Sequence, residues 1–168
     1  MVDSQIDLTT ARLQILRASK DKRERDAVMK ALLGEIKSQD STSLFVFKLT
    51  HRDLPLRDVV KEMIVALGHD SVKPLIDLYE RSRSSDPNQM TPGAKTARQD
   101  AVELLGVIGE RGGLGDMKQA TIKMLDNAAN SIGPDRETDQ IVRGVVCSVL
   151  KSIRESEDHR KKVVKVGR

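Results

Sequence analysis

The sequence predicts an all-α chain, about four antiparallel helix pairs stacked into one α-α superhelix. Three observations carry this. The stretch Ala97 to Gly109, A-R-Q-D-A-V-E-L-L-G-V-I-G, sets Ala101, Leu104, Leu105 and Ile108 at the three-and-four spacing of one buried helix face. That register is written four times. Counted from Arg25, Arg57, Arg98 and Arg143, the third, sixth and seventh residues are Val28, Ala31, Leu32; Val60, Met63, Ile64; Ala101, Leu104, Leu105; and Val146, Val149, Leu150. The tenth is Leu67, Ile108 and Ile153 in three copies and Glu35 in the first. Finally, Asp21, Asp53 and Asp139 stand four residues before Arg25, Arg57 and Arg143, and Asp86 stands twelve before Arg98. A short acidic side chain ahead of a helix can accept its free N–H groups, and an Arg one turn later can pair with it. Recurring with the apolar register, these marks read as a structural ladder.

The four arginines lie 32, 41 and 45 residues apart, near the step of helical repeat arrays. The Asp-then-Arg mark, A-x-x-L-L-G-x-I-G at Ala101 to Gly109, and V-K-P-L-I-D-L at Val72 to Leu78 resemble HEAT-like repeats. The resemblance spans roughly residues 8–156 and implies a solenoid whose Arg-bearing helices line the inner curve. It implies little about function, because such arrays serve many tasks.

The elements follow in order. Residues 1–8 read as a ragged lead; Thr9 or Thr10 can cap a helix to about Ala18, with Leu13 and Leu16 inward. Asp21 starts the helix that carries Arg25 to about Ser38, completing a unit at 8–38. The second unit, 41–68, opens with Leu44 to Leu49 (L-F-V-F-K-L), which is short and apolar enough for a buried strand. A single strand would have nothing to pair with, so a short helix is expected. His51 to Pro55 is a turn, with Pro55 allowed in the first turn of the helix ending near Leu67. The third unit, 71–109, holds a helix from Ser71, with Pro74 in its first turn, a loop at 83–96, and the helix ending at Gly109. Gly109 to Gly115 is a tight turn. The fourth unit, 116–156, pairs a helix from Asp116 to about Ser131 with one from about Thr138 to Ser156, across the breaker Gly133-Pro134. Residues 157–168 are expected to be a flexible basic tail. That makes eight helices.

Composition narrows the class. Of 168 residues, 38% are hydrophobic and only 2% aromatic, which suits helices packing Leu, Ile, Val, Ala and Met against their neighbours. Cys147 is the single cysteine, so no internal disulfide forms. The start M-V-D-S-Q-I-D-L lacks the apolar run of a signal peptide, and no stretch is long enough for a membrane span. A soluble cytoplasmic protein with no membrane partner is expected. The net charge of +4, from 29 basic and 25 acidic residues, is concentrated at the end, where Arg160, Lys161, Lys162, Lys165 and Arg168 follow the last acid, Asp158.

Nothing resembles a catalytic constellation. His51 and His69 fall in predicted turns, and neither has a second ligand at metal spacing. Some HEAT-like enzymes carry His-Glu pairs for iron, and this chain has no His-Glu dipeptide. Cys147 reads as a partly buried, inert thiol with no neighbouring His to activate it. The segment Gly109 to Gly115 lacks a Gly-Lys-Ser/Thr ending, and Glu110 and Asp116 would repel phosphate; it reads as a turn needing positive φ. A non-enzyme without metal or cofactor is expected.

If the Arg-bearing helices line an inner curve, the face opposite their apolar stripe meets a partner. It carries Met29, Lys30 and Leu33; Lys61, Glu62 and Val65; Val102 and Glu103; and Lys151. Mixed charge with an apolar thread of Met29, Leu33, Val65 and Val102 suits another protein better than a phosphate backbone. A protein-interaction scaffold is therefore the leading reading. The alternative is a nucleic-acid accessory protein that holds phosphates with Arg160, Lys161, Lys162 and Lys165, although few aromatic residues are available for base stacking.

Overall fold

Helical periodicity is realised along the whole described chain. The computed structural model describes residues 2–51, 53–83 and 92–166, with side chains at 10–51, 53–83 and 93–164. Among the described residues it holds eight α-helices and no strand. They are α1 (Val2–Ala18), α2 (Lys22–Ser38), α3 (Thr42–Phe47), α4 (Arg57–Leu67), α5 (His69–Arg81), α6 (Pro92–Glu110), α7 (Lys118–Asn130) and α8 (Gln140–Val166). Short 3-10 turns at Lys48–Thr50 and Gly115–Met117 join α3 to its turn and lead into α7.

The even-numbered helices touch in succession, α2 on α4, α4 on α6 and α6 on α8. The odd-numbered ones lie against them: α1 on α2 and α4, α5 on α6, α7 on α8, with α3 on α5. A connected apolar core runs from Leu13 in α1 to Ile153 in α8. The repeated register is its backbone. Val60, Met63, Ile64 and Leu67 of α4, and Ala101, Leu104, Leu105 and Ile108 of α6, are all buried. The first copy is looser, with Ala31 exposed and Glu35 paired to Arg12.

α8 packs on α6 more extensively than any other described helix pair, and two glycines permit close approach there. A Cβ on Gly106 would come 3.0 Å from the Val149 side chain, and one on Gly109 would come 2.9 Å from Ile153. Val149 and Ile153 thus sit in notches that any larger residue on α6 would fill.

Several boundaries differ from the sequence reading. α1 begins at Val2, so the expected ragged lead is helical. α5 begins at His69, which places Pro74 inside the helix rather than in its first turn and deprives the Asp70 carbonyl of its usual N–H donor. Pro55 precedes α4, and Leu56, at φ 56°, takes the N-cap position. α6 runs through Gly109 to Glu110, and Gly112, at φ 77°, is the left-handed residue that closes it. The Gly112 and Gly113 amides reach back to the carbonyls of Gly109 and Ile108 at 2.9 and 2.8 Å, a Schellman closure. The final helix does not stop near Ser156. α8 continues to Val166, so the described part of the expected flexible tail is helix.

α2 closes with the same hydrogen-bond pattern, but its left-handed residue is Asp40, at φ 49°, with the Ser41 amide bonded to the Ile36 carbonyl at 3.0 Å. A non-glycine residue in that region pays a steric penalty. Asp40→Gly is expected to raise stability by about 0.5–1 kcal/mol, read as an increased melting temperature in a thermal scan followed by circular dichroism.

Candidate functional site

The residues singled out on the even-numbered helices come together as a cross-linked band. Arg25, Arg57 and Arg143 do not pair through their side chains with Asp21, Asp53 and Asp139 ahead of them. In three units the Arg reaches back to carbonyls that close the preceding segment and forward to a carboxylate one unit on. Arg25 bonds the Leu16 carbonyl and the Glu62 carboxylate of α4, the latter at 2.9 and 3.0 Å. Arg57 bonds the Leu49 and His51 carbonyls at 2.7 and 2.9 Å, and its Nε donates to Asp100 of α6 at 2.7 Å. Arg98, fully buried, bonds the Ser82 carbonyl at 3.0 Å and faces Glu137, ahead of α8, at 3.3 Å. The expected ladder is thus one between units rather than within each.

The acidic marks have other roles. Asp21 caps α2 by accepting from the Arg23 amide at 2.8 Å. Asp139 caps α8, accepting from Ile141 and Val142 at 2.9 and 3.1 Å, and pairs with Lys95 at 3.0 Å. Asp53 is exposed in the turn, and Asp86 lies outside the described residues. Arg143 makes no side-chain hydrogen bond or ion pair among the described residues.

Burial by itself would raise the Asp139 carboxyl, but the Val142 amide, Lys95 and the Ile141 amide together hold it below its ordinary value. A group lowered on folding stabilises the fold above its unfolded pKa of about 3.9, and that contribution is lost as pH falls through the folded value. Asp139→Asn, which keeps a capping oxygen, is expected to cost about 1 kcal/mol at neutral pH. The difference from the parent should shrink progressively as pH falls below about 3.9, in urea unfolding run as a pH series.

The remaining face residues divide sharply. Lys61 is held by Asp100 at 3.0 Å and Glu103 at 3.1 Å, and Glu103 also accepts from Gln99 at 3.1 Å. Desolvation acts to lower the Lys61 ammonium, but the hydrogen bonds and charges of Asp100 and Glu103 outweigh it and raise the group. Glu62 is occupied by Arg25. Met29, Leu33 and Val65 are half-buried against the core, and Val102 is fully buried. Of the apolar thread expected on an open groove, Val102 is thus taken up wholly in helix packing, and Met29, Leu33 and Val65 are taken up in part. Lys30 and Lys151 are exposed; Lys151 has a loose partner in Glu155 at 3.8 Å. They stand near opposite ends of the band.

Sequence reasoning missed the carboxylates that receive the arginines, and above all Glu137. This residue is 1% exposed and accepts from the Tyr79 hydroxyl at 2.7 Å and the Asp139 amide at 3.0 Å. Burial, reinforced by Glu137, pushes the Tyr79 phenol well above its ordinary range. A usable signal existed, since Glu62, Asp100 and Glu137 lie 37, 43 and 39 residues after their arginines, close to one repeat.

The tail residues are placed on α8. Arg160 donates to the Gly109 and Glu110 carbonyls at 2.8 and 3.2 Å, capping the end of α6. Lys161 and Lys162 are exposed, and the Lys165 side chain lies outside the described residues. Cys147 is exposed rather than partly buried, because it lies off the stripe that meets α6 and α7. His51 is exposed; His69 opens α5 and contacts Asp116 at 3.1 Å and the Leu114 carbonyl at 3.2 Å. Among the described residues no cluster of three His, Cys, Asp or Glu could hold a metal ion. No helix among them is long and apolar enough to cross a membrane. Comparison with protein-family models, with curated proteins and with solved structures found no match.

Proposed function

We propose that the chain is a HEAT-like solenoid acting as a non-enzymatic scaffold that binds another protein across α2, α4, α6 and α8. The observation that carries this reading is the cross-unit ladder, Arg25 to Glu62, Arg57 to Asp100 and Arg98 to Glu137. It ties consecutive units into one rigid surface, and a rigid surface loses little entropy when a partner docks. Because Lys61, Glu62, Glu103 and Val102 are used within the array, contact with a partner falls to the exposed residues beside them, notably Asp26, Lys30, Asp58 and Lys151.

Affinity capture of the intact chain from a lysate of its source organism, with and without nuclease, tests the reading. A defined protein that survives nuclease and is lost on Lys30→Glu with Lys151→Glu supports it. A bound set that vanishes with nuclease would replace it with the nucleic-acid reading. Charge reversal at Lys61 and Glu62 would confound the experiment, because both hold the array together.

A further inference from the structure

We propose that the side of α8 carrying Arg143, Cys147 and Lys151 is a docking site for a helix of another protein that presents a carboxylate to Arg143. Arg25, Arg57 and Arg98 each reach forward to a carboxylate on, or just ahead of, the next even-numbered helix: Glu62, Asp100 and Glu137. Arg143 holds the same place in the fourth copy of the register and is half-buried. Among the described residues its side chain makes no hydrogen bond or ion pair. A guanidinium drawn partly out of water keeps its charge, and it gains from an acceptor that replaces the water it has lost.

The acids nearby are taken. Asp139, one turn before Arg143, is held by Lys95 and by the first amides of α8, and Asp126 of α7 receives Arg154. The helices beside α8 are accounted for as well. Val149 and Ile153 seat it on Gly106 and Gly109 of α6, and Glu157 pairs with Lys118 of α7. Helical spacing turns Arg143, Cys147 and Lys151, each one turn from the next, away from the α6 contact. Cys147 and Lys151 are exposed, and a Cβ on Gly144 would meet nothing within 4 Å. The open strip thus sets two cations two turns apart, about 12 Å along the axis, with small residues between them.

The internal contacts define what fits. At α4 on α6, Arg57 takes Asp100 while Lys61, one turn on, takes both Asp100 and Glu103. A partner helix with one acid facing Arg143 and a second, two turns away, facing Lys151 repeats that chemistry. An apolar residue between the two acids can rest over Gly144 and Cys147. A second copy stacked in the same register does not fit. Glu62 lies five residues after Arg57, Asp100 two after Arg98, and Glu137 six before Arg143. The same offsets counted from Arg25 give Lys30, Ala27 and Ser19, none of them acidic. A nucleic-acid backbone is negative throughout and would meet Glu155 beside Lys151.

The inference deepens the scaffold reading by naming one partner contact. The probe is a labelled helical peptide of about 20 residues, built on alanine and leucine with glutamates two turns apart on one face, titrated into the intact chain by fluorescence anisotropy. Alkylation of Cys147, the single cysteine, by iodoacetamide is followed in parallel. Saturating peptide is expected to slow that alkylation several-fold, and Arg143→Glu to weaken binding about tenfold or more. A peptide with lysines in place of the glutamates should bind Arg143→Glu more tightly than it binds the parent. Arg143→Gln, which should also weaken the acidic peptide, serves if Arg143→Glu fails to fold. The proposal is overturned if the acidic peptide does not bind, if it binds the Arg143 variants as tightly as the parent, or if it leaves Cys147 equally reactive. It is also overturned if a DNA duplex, or a higher concentration of the chain alone, gives the Arg143-dependent protection instead. A protein captured from lysate through Lys30 and Lys151, with no binding of the peptide, would remove the Arg143 site and leave the scaffold reading standing.

Discussion

Glu137→Ala is expected to cost about 3–5 kcal/mol of folding stability, the range for removing one member of a buried ion pair. Glu137 and Arg98 are each 1% exposed, so water cannot replace what the carboxylate supplies. The same carboxylate accepts from Tyr79 of α5 and from the amide of Asp139, the residue that caps α8. Its loss therefore strands two donors, the Tyr79 hydroxyl and the Asp139 amide, beside a guanidinium that has lost its facing charge, and each buried unsatisfied donor is costly. Glu137→Gln, which keeps an accepting oxygen but not the charge, should cost less. Tyr79→Phe, which removes only one donor, should cost about 1 kcal/mol. Urea unfolding followed by circular dichroism would rank the three, and a Glu137→Ala variant as stable as the parent would remove the ion pair from the account of the fold.

Gly109→Leu should be the next most damaging change, at about 3 kcal/mol, because it overpacks the α6–α8 contact. The first added carbon would already lie 2.9 Å from Ile153 and 3.2 Å from Leu114. Relief would require α8 to move away from α6 along the contact that also buries Val146 and Leu150. Gly106→Leu acts against Val149 in the same way, whereas Gly144→Leu has open space and should be close to neutral. A melting-temperature series over the three positions separates loss of close approach from the ordinary effect of replacing a helical glycine. Comparable losses at all three would refute the notch interpretation.

The core was legible in the sequence where one helix lay between two neighbours. In α4 and α6 every residue of the repeated register is buried, because both sides of those helices are covered. In α2 the register weakens at Ala31 and Glu35, because fewer elements lie against it. Val102 was misread as open for the converse reason: a helical wheel gives its face, but not how close the next helix comes. That distance is set by Gly106 and Gly109, of which the sequence reading used only Gly109, as the end of a helix. Choosing the residue that closes α6 failed similarly, since Gly109, Gly112, Gly113 and Gly115 are equally permissive locally. Hydrogen bonding to Ile108 and room for Arg160 decide for Gly112. The ion pairs between units needed spatial neighbours some forty residues apart, which periodicity hints at but does not pair.

The forward reach of the arginines gives the chain a polarity. Removing α1 and α2 would take away Arg25 and leave Glu62, already half-exposed, facing water at little cost. Removing the chain from Glu137 onward would take the facing carboxylate from Arg98, buried in the intact chain, together with α8, the helix packed most extensively on α6. Shortened versions should thus survive trimming from the amino-terminal side better than from the other. By the same logic, an array of this kind would gain or lose units more readily at its first turn than at its last.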